Sequence, residues 1–197
     1  MDLRFDEKYT NAVRVISPFG ELRVLFTGRD AGEVKDGRTV LHGKRYFHAY
    51  VEAGADGGRE IPPVLVNNVP YYISAHIYND PDKGPTWGPH PDDRNAQSLY
   101  MNRTDHTART DASPAARKKF KEALPEIIAQ VLGTETGRKA LERGEAIALL
   151  AAIDRSYEKA VEKRDEFQEV KADLELAYIA YENRFHVHIR DRHPEVK

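Results

Sequence analysis

His90, Asp92 and Asp93 stand close together in the chain, with His106 a short way beyond them. Imidazoles and carboxylates of this kind hold Zn²⁺ and similar divalent ions. An ion so held would activate water, as in a metal-dependent hydrolase or nuclease. Three of the four donors lie in the stretch Asp80 to Asn95, which also carries Asp80, Asp82, Arg94, four prolines and the only tryptophan, Trp87. A long loop inside a compact domain is often functional. Its prolines lower the entropy lost on binding, and a tryptophan is a natural anchor for a partner surface. Trp87, His90, Asp92, Asp93 and Arg94 therefore form a candidate partner-binding set. The competing structural reading has Trp87 folding back onto the sheet. Asp80-Pro81-Asp82-Lys83-Gly84 falls short of a calcium loop, because its glycine comes early and no acidic residue stands at the twelfth position.

A second group of residues could recognise anions. Arg103-Thr104-Asp105 and Arg109-Thr110-Asp111 repeat a triplet, and Arg117, Lys118, Lys119 and Lys121 follow. Cations in the first turns of a helix oppose its dipole, so local stability does not account for them. They suit an acidic partner or nucleic acid; the bland alternative is a solvated face with local ion pairs. His186, His188 and His193 make a further imidazole cluster near the C-terminus, more simply read as a polar strand face.

Several chemistries are excluded or unsupported. With no cysteine, the chain has no disulfide, thiolate metal site or cysteine nucleophile. It has no Gly-x-Ser-x-Gly elbow and no glycine-rich phosphate loop opening a helix. No cofactor is expected. The net charge is −2; residues 113–197 carry 16 Lys and Arg against 16 Asp and Glu, and residues 1–112 carry 14 against 16. Neither half is basic, which weighs against wholesale nucleic-acid binding. No apolar run is long enough for a transmembrane helix. The acidic, polar N-terminus lacks a signal-peptide pattern, so cytoplasmic residence is the expectation. The abundance of Ala, Arg, Asp, Glu and Gly suggests a GC-rich bacterial or phage origin.

The elements that must position these residues fall into two halves. Residues 9–16 and 21–27 read as strands joined by Ser17-Pro18-Phe19-Gly20, and Asp36-Gly37 marks a tight turn. His42-Gly43 is a further turn signal, and residues 44–53 alternate as a strand. Val69 to Asn79 is the clearest strand: Tyr71, Ile73, Ala75 and Ile77 face one way and Tyr72, Ser74, His76 and Tyr78 the other. Ser113-Pro114 opens a helix with Phe120, Leu124, Ile127, Ile128, Val131 and Leu132 as its buried stripe. Pro125 should kink or split it. A short helix over 135–143 should end at Gly144.

Glu145 to Asn183 contains neither Gly nor Pro and reads as one continuous amphipathic helix, roughly 60 Å long. Its seam runs Ile153, Tyr157, Ala160, Arg164, Phe167, Lys171, Leu174, Tyr178, Tyr181 and Phe185. Phe185, Val187 and Ile189 then alternate as a strand. The expected fold is α+β: an antiparallel β-rich domain over 1–108, then a helical region over 109–197. That region either packs on the sheet or forms a homodimer through its long helix. The leading functional expectation is a non-catalytic protein-interaction protein acting through loop 80–95. The alternatives are a metal-dependent enzyme using His90, Asp92, Asp93 and His106, and a nucleic-acid binder using Arg103, Arg109, Arg117, Lys118, Lys119 and Lys121.

Overall fold

The computed structural model describes residues 2–35, 38–80, 83–88, 98–105, 110–162 and 167–185. The fold is α+β, with an antiparallel sheet in the N-terminal half and three helices after it. The chain divides into two compact units, Met1–Gly144 and Glu145–Lys197.

In the first unit the strands are β1 (Leu3–Phe5), β2 (Ala12–Ser17), β3 (Gly20–Lys35), β4 (Arg38–Ala53), β5 (Val64–Val66), β6 (Val69–Asp80), β7 (Gly84–Thr86), β8 (Leu99–Arg103) and β9 (Thr110–Asp111). The sheet order is β1-β2-β3-β4-β6-β8-β9, with β5 and β7 also pairing with β6. The Asp36-Gly37 turn lies outside the described residues, but Lys35 and Arg38 on either side of it are paired. β4 does not turn at His42-Gly43. It runs on, and the register with β3 shifts between Asp30 and Gly32, opposite Arg45 and Leu41. Asn67 and Asn68 take φ of 53° and 62° and close the tight β5–β6 hairpin, a left-handed conformation that asparagine tolerates.

Alternation along β6 is as the sequence dictates: Tyr71, Ile73, Ala75 and Ile77 are buried, while Tyr72, Ser74, His76 and Tyr78 are half-buried. The apolar face joins Val13, Val15, Leu22, Val24 and Phe26 in one core and meets helix α1 (Pro114–Leu132) through Phe120, Leu124, Ile127, Ile128 and Val131. Phe19 and Phe120 pack with their rings tilted by 59° and their centroids 5.3 Å apart. The Ser113 hydroxyl caps α1 by accepting from the Ala116 amide at 3.2 Å. Pro125 does not split α1, which continues through it.

Helix α2 spans Glu135–Glu162, so it does not end at Gly144. That glycine serves packing instead: a methyl group on it would lie 2.4 Å from the Phe26 carbonyl oxygen of β3. The single long helix is also corrected. α2 is followed by a separate helix, α3 (Phe167–Phe185). Arg184 Nη2 donates to Glu145 Oε2 at 2.9 Å, whereas one straight helix would hold those two residues ~58 Å apart. The second unit is thus a helical hairpin. Leu149, Ile153, Leu174, Tyr178 and Tyr181 form its buried core, with Tyr157 and Phe185 against them. Of the apolar seam, Ile153, Leu174, Tyr178 and Tyr181 are buried and Tyr157 and Phe185 half-buried, across two helices folded on each other. Phe185 ends α3 rather than opening a strand; Val187, Ile189 and the three C-terminal histidines lie outside the described residues.

Candidate functional site: a groove between Trp87 and helix α1

The site begins with a proline in a helix. An amide at position 125 would donate to the carbonyl of Lys121, but proline has no N–H. The Trp87 indole supplies the missing donor: its Nε1 donates to the Lys121 oxygen at 2.7 Å. The Lys121 ammonium lies 5.4 Å from the centre of the indole ring, at cation–π distance.

Strand β7 puts Trp87 there. Gly84, Pro85 and Thr86 pair back on Asp80, Asn79 and Tyr78 of β6. Proline is tolerated because β7 is an outer strand and need not donate at that position. Gly88 lets the chain pass over Tyr78, since a methyl group there would fall 2.7 Å from two ring carbons. The Ser98 hydroxyl donates to the Gly88 carbonyl. Trp87 is therefore half-buried against the main core and held at its edge.

Pro114, Arg117, Lys118, Lys121, Glu122 and Pro125 recur at helical spacing on one face of α1, beside its buried stripe. With Trp87 as a side wall they line an open groove of about 600 Å³. Three cations and one carboxylate face it. Arg117 Nη1 donates to the Leu99 carbonyl at 3.0 Å, which ties its head group to β8. Lys118 reaches Glu122 at only 3.8 Å, both side chains being well exposed at 76% and 66%. Such a pair contributes little to stability. The first turn of α1 carries no acidic residue.

The remaining expected site residues divide between described and undescribed. His90, Asp92, Asp93, Arg94, His106 and Arg109 lie outside the described residues. Arg103 makes a two-nitrogen contact with Asp105 at 2.9 and 2.7 Å on the surface. Lys119 donates to the Asn67 side chain at 3.2 Å. Of the basic segment, Arg117, Lys118 and Lys121 are brought together at the groove; Arg103 and Lys119 do not line it.

The densest charge cluster among the described residues went unread in the sequence. Arg23 of β3 donates through Nε to Asp6 at 2.8 Å, through Nη2 to Glu60 at 2.8 Å and through Nη1 to Glu52. Arg14 also donates to Asp6, and Lys8 reaches Glu60 at 2.8 Å. Asp6 further accepts the amides of Lys8 and Tyr9 at 2.9 and 3.0 Å. The Tyr9 ring stands 5.1 Å from the Arg23 guanidinium. Three carboxylates and three cations satisfy one another, and the Arg23 and Asp6 side chains are 3% and 0% exposed. This hub closes the fold; it offers no open position to a substrate.

Comparison of the chain with protein-family models, with curated proteins and with solved structures finds no match.

The Trp87–Lys121 bond can be isolated. Trp87→Phe should cost about 1 kcal/mol beyond the change in packing, the usual worth of one neutral hydrogen bond. In a Pro125→Ala background the new amide satisfies Lys121, so the same change should cost less. Urea denaturation of the four proteins measures the coupling. Strict additivity would show that the indole does not replace the missing backbone donor.

Proposed function

We propose that this is a non-catalytic interaction protein that docks a protein partner in the groove between Trp87 and α1. The carrying observation is the fixed Trp87 wall, which lines an open groove together with Arg117, Lys118 and Lys121. The wall is pre-ordered by the indole bond, by the β7 pairing and by Gly88, so little entropy is lost when a partner settles on it. Lys118, whose contact with Glu122 is long and exposed, is the cation of this face that a partner reaches most easily.

Site-specific photo-crosslinking in the native host tests this. A crosslinker replacing Lys118 should give one discrete polypeptide adduct. A crosslinker replacing Ile16, 52% exposed on the opposite face of the sheet, should not. Equal adducts at both positions, or none at Lys118, would remove the proposal.

The helical hairpin favours a second contact, with another copy of the chain. Among its described residues, Leu149, Ile153, Leu174, Tyr178 and Tyr181 are buried together. Leu176 and Ile179, one turn apart on α3, are 63% and 38% exposed. Native mass spectrometry should show a dimer that Leu176→Glu converts to monomer. A wild-type monomer at micromolar concentration would discard this second contact. Among the described residues no helix is long and apolar enough to cross a membrane.

A further inference from the structure

We infer that the outer edge of β1 is a strand-addition site, taking an extended segment of a protein partner with apolar residues at alternate positions. The site is separate from the groove and does not rest on the docking role proposed there.

The ladder decides which backbone groups are open. Leu3, Arg4 and Phe5 stand opposite Val15, Arg14 and Val13 in antiparallel register. The Ile16 amide donates to the Asp2 carbonyl and the Asp6 amide to the Ala12 carbonyl, each at 3.0 Å. Hydrogen-bonded and open pairs alternate along such a ladder. Asp2, Arg4 and Asp6 therefore turn their backbone groups toward β2, and Leu3 and Phe5 turn theirs away. Among the described residues β1 is the outermost strand, so the N–H and C=O groups of Leu3 and Phe5 face outward. An antiparallel segment added there can engage all of them.

Sheet edges are commonly blunted by proline, a bulge or an inward-pointing charge. β1 has none of these. It reads Leu-Arg-Phe, its register with β2 steps without a break, and Leu3 and Phe5 pack half-buried against the core. The strand is short, which limits the added segment to a few residues. Side chains directly opposite each other in an antiparallel pair share a face. Residues added opposite Leu3 and Phe5 would extend the apolar face, and the one between them would lie beside exposed Arg4. The edge is also held ready. Asp6, the residue after β1, is fixed by Arg14 and Arg23, and Arg4 reaches Glu21 at 3.4 Å. A pre-ordered edge loses little entropy when a strand is added.

Amide hydrogen exchange of the full chain, read residue by residue by NMR, tests the site. In the chain alone, the Leu3 and Phe5 amides should exchange faster than the Arg4 amide, which the ladder protects. The probe is a soluble peptide alternating valine and threonine. It should slow exchange at Leu3 and Phe5 and leave Arg4 unchanged. A control peptide with N-methyl groups on the valine amides should do neither. Leu3→Pro removes an outward donor and no bond to β2, and should weaken the peptide about tenfold. Urea denaturation checks that this variant is folded, and the methylated control on the wild-type chain does not depend on it. Protection of Leu3 and Phe5 in the chain alone, at every concentration, would show the edge already covered and overturns the site. Protection that grows with protein concentration gives the edge to a second copy and overturns the partner reading. Equal binding of the methylated peptide, a peptide that leaves both amides unchanged, or undiminished binding to folded Leu3→Pro overturns strand addition.

Discussion

Arg23→Leu should destabilise the first unit by about 3 kcal/mol or more, the cost of leaving a buried ionic partner uncompensated. Arg23 joins three carboxylates that come from the N-terminal segment, from β4 and from the stretch before β5, each on a different guanidinium nitrogen. Leucine would leave Asp6 buried with only Arg14 and two backbone amides, and Glu52 without its short partner. Arg23→Lys should recover part of the loss but not all. A lysine ammonium is one point charge and cannot span three acceptors held in a fork. Urea denaturation read by Trp87 emission measures both variants, and a cost below about 1 kcal/mol for leucine would show the hub to be ornamental.

The same hub fixes the sign of the acid response. Burial pushes the Asp6 carboxyl up, but hydrogen bonds from Arg14, Arg23 and the Lys8 and Tyr9 amides more than reverse this, holding it well below the usual range. Lys8 first, then Arg23, holds Glu60 at about 2. Both groups are depressed on folding. Their stabilisation is fully present above the ordinary carboxylate pKa of about 4 and is lost as pH falls through the folded values. Wild-type stability should therefore fall between pH ~4 and ~2, and the gap between wild type and Arg23→Leu should narrow over the same range.

Gly144→Ala should cost about 2 kcal/mol in stability, although alanine is the better helix former by about 1 kcal/mol. The new methyl would sit 2.4 Å from the Phe26 carbonyl oxygen and 2.9 Å from its carbon. That carbonyl cannot easily retreat. Asn11, itself buried, donates to it through Nδ2 at 2.6 Å, and the Phe26 amide donates to the Asn11 carbonyl at 3.0 Å. Moving the helix instead would disturb Arg143, which donates to the Thr10 carbonyl at 3.1 Å and lies 4.5 Å over the Phe5 ring. Thermal denaturation decides the case. A rise in midpoint would mean that helix propensity wins and that the close approach is not needed.

Local rules read well from the sequence, and contacts between distant residues did not. The period-two alternation of β6 and the Ser113-Pro114 cap need only neighbours in the chain, and both stand as expected. The helical hairpin escaped because a seam at 3.6 spacing looks the same whether it faces a neighbour or its own continuation. The charged run Lys163-Arg164-Asp165-Glu166 between the two helices was the available hint. Gly144 misled because one residue type both ends helices and permits close packing. The Arg23 hub draws on residues 6 to 60, beyond any local pattern. The tie between Trp87 and Pro125 was within reach: a proline inside a helix leaves a carbonyl to satisfy, and the nearest question is which donor answers it.

The spread of that hub along the chain also orders events in time. Asp6, Arg14, Arg23, Glu52 and Glu60 meet only after β2, β3 and β4 have paired and the segment before β5 has closed over them. Closing several loops carries an entropic cost, so the network is expected to form after the rate-limiting barrier, and Arg23→Leu should speed unfolding while leaving the folding rate nearly unchanged in stopped-flow kinetics. Interactions absent from the transition state act on escape from the native state and leave the speed of arrival nearly unchanged. On that expectation the ion network acts as a latch on unfolding: it sets how long the sheet stays closed once made, not how quickly the chain finds it.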